Sequence, residues 1–594
     1  MMGAKDAPTF RAILCSLLLL SLSCECMAAE LNQVQAALLQ VNTSWEAARK
    51  IPQTLFGLFF EEINHAGAGG IWAELVSNRG FEAGGTNASN IDLWKIIGDE
   101  SSIYVKTERA SCFSKNIIAL RMEVLCDECP AGSVGIYNPG FWGMNIEEGK
   151  AYNLVMYIRS MEPVELTVSL KSSDGLQNMA SADIVDNNVS DWRKIQLQFV
   201  AKGTYRTSRF ELTTSKRGVI WIDQVSLMPS DTYKGHGFRK ELIHMLVDLR
   251  PQFLRFPGGC FVEGSWLRNA FRWKETIGPW EERPGHYGDV WNYWTDDGLG
   301  YYEFLQLAED LGAEPIWVIN AGISHHDEVD TTALTPFVED VLNSLEFARG
   351  STKSTWGSVY ENAHIIFHQK DKFSNVSRSG GPKAFVSEYA VNNNARERDA
   401  GNGSLLASLA EAAFLIGLEK NSDVVQMASY APLFVNANDR NWITDAIVFN
   451  SWQQYGTPSY WMQTFFHESS GSLIHPVRLT SSYSSSLAAS AITWKDDEDM
   501  FLRIKTQVLR DIRGAQLYGF LDGSIPEPDK MLKSKDSEGK EISIPNPEYA
   551  RWIAQDQMVL GYLNRNMSRE VLTQMVGQTT SARAWKTVTN MFAS

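Results

Sequence analysis

The feature that most constrains the fold is a repeated order of amphipathic helix and short apolar strand beyond residue 233. Residues 240–249 have helical spacing and are followed by an apolar strand at 253–256. Residues 301–311 are again helical, and a strand follows at 315–319. A helix followed by an apolar strand, repeated along the chain, is typical of a βα architecture. We therefore expect an α/β barrel whose active site lies at the carboxyl ends of its strands.

Charged and polar residues stand at or near the ends of these apolar strands. They are Glu61, Glu62, Arg255, Asn320 and Glu388. Each of them, taken alone, is also compatible with an ordinary loop residue. Several carboxyl groups that converge at one end of a barrel favour a catalytic site.

A β-rich stretch precedes the barrel pattern, and short strands return after about residue 435. Between about 83 and 230, apolar and polar residues alternate at 153–159, 165–170 and 194–200, with Gly, Asn and Asp turns between them. Such alternation predicts an antiparallel β-sandwich inserted into the barrel chain. The later strands suggest a second, smaller sandwich.

The first 29 residues have the pattern of a secretory signal peptide. Lys5 and Arg11 precede an apolar run at 12–22, and small residues up to Ala29 fit a cleavage site. A buried helix is the alternative interpretation. The run is too short to cross a bilayer, and no later stretch has the roughly 18 apolar residues of a membrane span.

Cysteine usage agrees with export. The mature chain keeps Cys112, Cys126, Cys129 and Cys260. The C-x-x-C spacing resembles half a zinc site, but no second pair follows at a suitable distance. A disulfide among the first three cysteines fits an oxidising compartment better. Sequons for N-glycosylation are also compatible with export, and they occur at Asn42, Asn87, Asn188, Asn375 and Asn402.

Length and charge exclude some classes of protein. The 594 residues are too many for one hydrophobic core, so several domains are expected. The net charge of −16 argues against a nucleic-acid-binding protein, which needs Lys and Arg clusters that displace the counterions of a polyanion. An acidic surface fits a neutral substrate.

Four segments together resemble the plant branch of glycoside hydrolase family 51, the α-L-arabinofuranosidases. They are residues 56–64, 255–264, 294–298 and 384–390, and they occur in the family's order. The similarity extends from about 35 to 504. It implies a (β/α)8 barrel with a C-terminal β-sandwich. It also implies an inserted carbohydrate-binding-like β-sandwich near the start, where the β-rich stretch lies.

The resemblance implies a secreted, retaining hydrolase that removes terminal arabinofuranose from arabinan or arabinoxylan of the cell wall. By the family's motif, Glu388 is the nucleophile and Glu61 is a ligand of the sugar hydroxyls. Arg255 and Asn320 match residues that line the pocket. Cys260 replaces an Asn that bacterial relatives use for substrate contact. The resemblance implies no cofactor or metal, and His325 with His326 is interpreted as part of a loop.

The chain departs from the family where the catalytic acid/base Glu is expected. That Glu follows Gly-Asn at the end of strand four, and no Gly-Asn-Glu occurs in this sequence. Four barrel repeats need ~125 residues at roughly 30 each, whereas Asn320 and Glu388 are 68 positions apart. We therefore expect an internal deletion of strands four to six at the join of Val359 and Tyr360. Glu361 lies at this join, but nothing places it at a strand end.

The C-terminal tail has a different resemblance. Residues 506–523, 546–557 and 582–585 are similar to the amino-terminal Gag region of plant copia-type retrotransposons. The spacing of Met558, Leu560, Leu563 and Val571 is helical, in contrast to the expected sandwich strands. A helical extension of the hydrolase family is the alternative.

These observations divide the chain into six regions. We expect a signal peptide at 1–29, the first barrel strand with flanking strands at 30–82, the inserted sandwich at 83–230, the barrel without strands four to six at 231–440, a truncated sandwich at 441–504, and a helical Gag-like tail at 505–594. Three functions remain open: an impaired arabinofuranosidase, a catalytically dead carbohydrate-binding protein, and a capsid-like self-associating protein. The expected partners are arabinose-containing glycans and not nucleic acid, and the oligomeric state stays open.

Overall fold

The computed structural model describes most of the chain from residue 37 onward. The described residues are 37–84, 90–127, 129, 132–351, 353–357, 383–391, 403–481, 487–496, 499–508, 526–535, 541–546, 549, 552–553, 556, 560 and 577–591. The predicted signal peptide, the join at Val359 and Tyr360, and the sequons at Asn87, Asn375 and Asn402 lie outside these residues. Within them, no helix has both the length and the apolar character needed to cross a membrane.

Three short strands precede the β-rich stretch: β1 (Ala37–Val41), β2 (Arg49–Lys50) and β3 (Phe56–Phe59). A π-helical turn at Gly67–Ile71 and a 3-10 turn at Glu82–Gly84 follow. β3 ends at the buried Phe59, and the buried Phe60 separates it from Glu61. This strand lies inside the stretch 30–82, where the sequence predicts the first barrel strand.

Eleven strands form two antiparallel sheets between the first barrel strand and the second. They are β4 (Lys95–Ile97), β5 (Ile103–Glu108), β6 (Ala119–Val124), β7 (Val134–Asn138), β8 (Met144–Ile146), β9 (Ala151–Arg159), β10 (Val164–Lys171), β11 (Asn178–Asp186), β12 (Arg193–Val200), β13 (Tyr205–Thr214) and β14 (Gly218–Pro229). One sheet has the order β11-β10-β13-β7-β4, with β8 beside β13, and the other has the order β12-β9-β14-β6-β5.

Alternation along the strands explains how these two sheets bury a common core. In β9 the buried residues Tyr152, Leu154, Met156 and Ile158 alternate with more exposed ones. Because successive side chains of a strand point to opposite faces, one face of each sheet is apolar. The other face of β9 and β12 is polar, and it forms the floor of a cavity.

A disulfide joins Cys126 and Cys129 in this module, so the predicted disulfide is confirmed for that pair. Cys112 and Cys260 are free thiols. The sequon residues Asn42 and Asn188 are both exposed. The glycosylation of these two residues stays a prediction.

In its described residues, the barrel region has six further strands and five α-helices. The strands are β15 (Phe253–Phe256), β16 (His286–Gly288), β17 (Tyr293–Thr295), β18 (Glu314–Trp317), β19 (Ala384–Tyr389) and β20 (Val425–Tyr430). The helices are α1 (Lys240–Asp248), α2 (Cys260–Glu263), α3 (Tyr301–Leu311), α4 (Thr335–Arg349) and α5 (Leu405–Lys420). Short 3-10 turns lie at Leu267–Asn269, Trp273–Glu275, Trp280–Glu282 and Thr331–Ala333.

Five of the strands form one parallel sheet in the order β18-β15-β3-β20-β19. Among the described residues, the two edge strands β18 and β19 do not pair with each other, so the described sheet does not close into a barrel. All four residues of the inner strand β15 are buried, whereas all four of β18 are only partly buried. Ile319 and Phe385 at the two edges are 41% and 39% exposed. The predicted absence of strands four to six stays a prediction, because residues 358–382 lie outside the described part of the chain.

The C-terminal region contains seven further strands within the described residues, and their pairs are antiparallel except the first, which is parallel. They are β21 (Phe434–Asn436), β22 (Ile447–Phe449), β23 (Gln454–Gly456), β24 (Leu473–His475), β25 (Val477–Ser481), β26 (Leu487–Asp496) and β27 (Asp499–Val508), with the helix α6 (Pro458–Phe466) and a 3-10 turn at His467–Ser469 among them. One sheet has the order β2-β24-β26-β27, and β1 pairs with β25. Residues from both ends of the chain therefore build this domain.

The predicted boundary at 504 and 505 is wrong, because it falls inside β27, which runs to Val508. The prediction of a wholly helical tail is also wrong for β28 (Met531–Lys535) and β29 (Glu541–Pro545), which pair as antiparallel strands. A helix, α7 (Ser581–Met591), follows near the end. These two strands are only five residues long and rich in polar residues, so their alternation is weak in the sequence. The helical spacing of the residues that follow gave the stronger signal.

A buried ion pair joins β27 to the barrel helix α5. The Nζ of Lys505 lies 2.5 Å from Oε1 of Glu419 and 2.7 Å from Oγ of Ser469. The side chains of Lys505 and Glu419 are 2% and 0% exposed. Burial lowers the pKa of Lys505, and the adjacent Glu419 carboxylate opposes that shift. Removal of one partner would leave the other charge buried without compensation.

We predict that Lys505→Met destabilises the whole chain. The expected loss in free energy of unfolding is about 3–5 kcal/mol, because the Glu419 carboxylate keeps its burial and loses its countercharge. Urea unfolding followed by circular dichroism measures it. The matched control is Lys216→Met, whose ion pair with Glu165 is exposed and is expected to contribute about 0–1 kcal/mol. Equal, small effects of both substitutions would show that β27 does not pack on α5.

Candidate active site

The parallel sheet brings three of the predicted site residues to one end. Glu61 follows β3, Arg255 lies in β15, and Glu388 lies near the end of β19. Because parallel strands all point the same way, their carboxyl ends meet at the same edge of the sheet. The convergence of these side chains is therefore a direct consequence of the strand order.

Glu388 is held by Arg255. The Nη2 of Arg255 lies 3.1 Å from Oε1 of Glu388. The guanidinium is 10% exposed and lies 4.9 Å from the centre of the Phe59 ring, whereas the Glu388 side chain is 45% exposed. Arg255 Nη1 is buried and has no hydrogen-bond partner within the described residues. A fixed cation thus orients a carboxylate that solvent and a ligand can reach.

Glu61 has the opposite environment, because its carboxyl group is buried. Its Oε1 accepts hydrogen bonds from the backbone N–H of Phe261 at 2.8 Å and from Nε1 of Trp291 at 3.2 Å. Burial raises the pKa of Glu61 to about 7, and the nearby Glu388 adds to the rise, while these hydrogen bonds oppose it. Near neutral pH the carboxyl group can therefore both donate and accept hydrogen bonds.

Two glycines allow these carboxyl groups to approach each other. Gly258 has φ +125°, and a Cβ there would lie 2.4 Å from Cβ of Glu61. A Cβ at Gly259 would lie 3.0 Å from Oε1 of Glu388 and 3.6 Å from Oε2 of Glu61, so these two oxygens are at most 6.6 Å apart. Any side chain at either position would fill the space above the strand ends.

A second layer of polar and aromatic residues supports the site. Glu62 accepts a hydrogen bond from the hydroxyl of Tyr293 at 2.9 Å, and burial raises its pKa. The ring of His65 stacks on Tyr293 with centroids 3.9 Å apart, and its Nδ1 lies 2.6 Å from Oδ2 of Asp439. Glu62 is thus bound to Tyr293 and not to Glu388. The sequence analysis did not single out Trp291, Tyr293 or Asp439. The sequence signal for Trp291 and Tyr293 is the aromatic cluster directly before 294–298, and Asp439 has no comparable signal.

Asn320 is engaged with the backbone of its own loop. Its Nδ2 donates to the carbonyl of Val262 at 3.0 Å, and its Oδ1 accepts from the N–H of Gly322 at 2.6 Å. Its predicted role in substrate binding stays a prediction. Cys260 lies at the start of α2, where burial raises the pKa of its thiol to about 11, so the thiol is neutral at ordinary pH.

The histidine pair lies in a loop, as the sequence suggests. His325 Nε2 is 3.4 Å from Oε2 of Glu263, and the ring of His326 packs near that of Trp266. Among the described residues, no group of three or more His, Cys, Asp and Glu side chains could hold a metal ion. Glu361 lies outside these residues.

Two family models match the chain. Residues 245–363 match the alpha-L-arabinofuranosidase 1 domain, and residues 387–586 match the alpha-L-arabinofuranosidase C-terminal domain. The first covers the strands β15 and β18 with their helices. The second begins one residue before Glu388 and continues past β27.

Curated relatives cover most of the chain. Alpha-L-arabinofuranosidase 1 of Arabidopsis thaliana is 55% identical over 544 residues, with 79% of each chain covered. Alpha-L-arabinofuranosidase 2 of the same plant is 54% identical over 541 residues, again with 79% of each chain covered. An extracellular exo-alpha-L-arabinofuranosidase of Streptomyces chartreusis is 30% identical over 529 residues, which is 72% of this chain and 61% of that one.

A solved structure has a similar fold. It is an arabinose-bound α-L-arabinofuranosidase of glycoside hydrolase family 51, with a TM-score of 0.70 and 24% sequence identity. The similarity covers 79% of this chain and 88% of the other. The open sheet described here therefore belongs to the same overall architecture.

We predict that Glu61→Gln changes how stability depends on pH. The folded-state pKa of about 7 exceeds the ordinary value of 4.5, so the folded wild type binds a proton that the unfolded chain releases in this range. The contribution of the protonated Glu61 to the stability of the wild type is fully present below pH 4.5 and is lost as the pH rises through 7. Glutamine keeps the neutral shape at every pH. Relative to wild type, the variant should therefore gain about 3 kcal/mol between pH 4 and pH 8.

Urea unfolding of both proteins across this pH range measures the difference. Glutamine retains an oxygen that can accept from Phe261 and Trp291, so the two hydrogen bonds survive the substitution. A difference in stability that stays constant with pH would mean that the Glu61 carboxyl group is hydrated and not buried.

Proposed function

Because this chain belongs to the α-L-arabinofuranosidases of glycoside hydrolase family 51, we propose that it is a retaining glycosidase with Glu388 as its nucleophile. The family membership rests on the Arabidopsis relatives at 55% and 54% identity. The observation that carries the proposal is the contact of 3.1 Å between Arg255 and the accessible carboxylate of Glu388. A charged, oriented and reachable carboxylate at the end of a barrel strand is what a glycosidase nucleophile requires.

In the proposed reaction, an oxygen of Glu388 attacks the anomeric carbon of a terminal α-L-arabinofuranosyl residue. The new ester bond forms as the bond to the leaving oxygen breaks, and that oxygen keeps the electron pair. Water then attacks the anomeric carbon, gives its hydroxyl group to the sugar and displaces the Glu388 carboxylate, while its proton neutralises the leaving oxygen, so the configuration is retained overall. Glu61, Arg255 and Asn320 are proposed to bind the sugar, and the buried Nη1 of Arg255 is a donor still without a partner in the described region.

We further propose that this chain lacks the acid/base carboxyl group. The alignment with the first Arabidopsis relative is 544 residues long, yet 79% of this 594-residue chain is only about 470 residues. About 70 positions of the relative therefore have no counterpart here. Two or more barrel repeats of roughly 30 residues fit in such a gap. The unpaired edges of β18 and β19 are where strands four to six would stand.

The proposed substrates are arabinan and arabinoxylan of the cell wall, and the proposed location is extracellular. The relatives are named as arabinofuranosidases, and the Streptomyces protein is named as extracellular. The exposure of Asn42 and Asn188 is compatible with glycosylation on a secretory route. No nucleic-acid partner is proposed.

The Gag-like origin of the tail stays a prediction. Two observations bear on where such a tail would begin. β27 continues to Val508 and is tied to α5 through Lys505. The C-terminal domain model matches through residue 586. The match through residue 586 supports the alternative that the tail is an extension of the hydrolase family. Reads of the transcript across 359–360 and 504–505 test both proposed joins.

The second candidate function is a carbohydrate-binding protein without turnover. The open sheet favours it, because an unclosed barrel leaves apolar edges and reduces the rigidity of the pocket. The two candidates differ in one observable, which is whether a covalent intermediate forms on Glu388.

We predict a burst of product with a 2,4-dinitrophenyl α-L-arabinofuranoside. This leaving group departs without protonation, so loss of the acid does not prevent formation of the glycosyl-enzyme. Hydrolysis of the ester is slow without a general base, and the burst should approach one phenolate per chain. On arabinan the rate should be about 10²–10⁴-fold below that of an intact relative. Rapid-mixing absorbance and mass spectrometry of the peptide with Glu388 measure both effects.

The matched control is Glu388→Gln, which keeps an acceptor for Arg255 and removes the nucleophile. It should fold with the same circular dichroism and give neither burst nor label. A folded wild-type chain without burst or label would contradict the glycosidase and favour the binding protein. Equal, fast turnover of the aryl glycoside and of arabinan would show that an acid is present after all.

A further inference from the structure

A cavity of about 660 Å³ lies between the inserted β-module and the barrel, away from Glu388. Its floor is the polar face of the sheet that contains β12, β9 and β14, and its other wall includes Trp280, Glu281 and the segment around Thr232. Small-molecule sites in proteins have volumes of about 300–1,000 Å³. The cavity therefore has the size of a binding site, and the proposed catalytic chemistry does not use it.

The floor presents amide groups in register across neighbouring strands. Gln198 lies opposite Asn153 and Gln196 lies opposite Val155 on the paired strands β12 and β9. Gln198 Nε2 donates to Oδ1 of Asn153 at 2.9 Å and to Oγ of Ser230 at 3.4 Å, which leaves its Oε1 as the group free for a ligand. Gln196, Gln198 and Asn153 are exposed, so their remaining donors and acceptors are available to a ligand. Amides carry both donors and acceptors, which match hydroxyl groups that also do both.

A buried polar group in the lining lacks a partner. Gln224 is 3% exposed, and its Oε1 forms no hydrogen bond within the described residues. Buried polar atoms are nearly always satisfied by protein, water or ligand. Because this oxygen has almost no accessible surface, a ligand in the cavity would contact the exposed amides of the floor and not Oε1 of Gln224.

The charges of the lining are compensated, which excludes a strongly charged ligand. Lys194 Nζ lies 2.8 Å from Oε1 of Glu281, and the same oxygen accepts from the hydroxyl of Tyr157 at 2.9 Å. Arg79 donates to the carbonyl of Trp280 and faces the buried carboxyl groups of Glu74 and Asp296. No uncompensated cation or anion is left among these groups to select an ionic partner.

We propose that this cleft is a second, non-catalytic binding site for a neutral glycan chain. The amides would bind hydroxyl groups, and the apolar side chains of Val155, Met228 and Trp280 in the same lining would contact the carbon–hydrogen faces of the sugar rings. The choice of arabinan and arabinoxylan as ligands rests on the proposed function. The proposal that a binding site exists here does not rest on the proposed function, because the cleft is built from residues away from the carboxyl ends of the barrel strands.

Affinity electrophoresis of the full-length chain tests the proposal with arabinan, arabinoxylan or polygalacturonate in the gel. We expect retardation by the neutral polysaccharides, and a roughly tenfold weaker binding for the double variant Gln196→Ala, Gln198→Ala, which loses several hydrogen bonds of the exposed floor. Turnover of a small aryl arabinofuranoside should be unchanged. The matched control is Gln177→Ala, an exposed glutamine in a turn beside the other sheet, which should bind like wild type.

The same gels with Glu388→Gln separate this site from the catalytic pocket. Retardation that survives Glu388→Gln and saturating L-arabinose, but falls in the double variant, supports the second site even where the burst experiment fails. Wild-type retardation of the double variant would overturn the proposal. So would stronger retardation by polygalacturonate than by the neutral polysaccharides, since the ligand would then be anionic.

Discussion

A parallel sheet exposes hydrogen-bonding groups and apolar side chains at both edges unless it closes on itself or is covered, and this constraint governs the molecule. Here the sheet ends at β18 on one side and at β19 on the other. The inner strands keep their burial, whereas Ile319 and Phe385 at the edges are substantially exposed. Glu61, Arg255 and Glu388 nevertheless meet, because β15, β3, β20 and β19 are successive hydrogen-bonded neighbours whose carboxyl ends lie at one edge of the sheet.

The sequence analysis identified the parts of the site that depend on strand ends. Glu61, Arg255 and Glu388 follow or end short apolar runs, and a parallel arrangement is enough to bring them together. It did not identify Trp291 or Tyr293, because these residues lie in or beside a hairpin whose position over the sheet depends on packing. The hydrogen bonds of Asn320 to its own loop were also beyond reach, since they depend on backbone geometry and not on residue type.

The predicted domain boundary at 504 and 505 is wrong because the local sequence pattern does not show the tertiary contacts that bury Lys505. Lys505 has no apolar periodicity that would mark it as a strand residue, yet it is buried because Glu419 and Ser469 meet it from the barrel side. A charged residue in a core is visible only once its partner is placed. The cleft beside β12 was hidden for the same reason. The sequence indicates the polar strand face that forms its floor. It does not indicate the other wall, which includes Trp280, 84 positions from Gln196 in the sequence.

Loss of part of a barrel does not affect binding and catalysis equally. Proton transfer requires one carboxyl group at one position, so its removal lowers the rate by orders of magnitude. Glycan binding uses many weak contacts, each worth little, and tolerates the loss of any one. The residues of the cleft lie between 79 and 281, outside the interval from Trp317 to Ala384 where the sheet is interrupted. The proposed glycan cleft therefore does not depend on the strands that the proposed deletion would remove, and the inserted module would keep its ligand where the proposed chemistry is slowed.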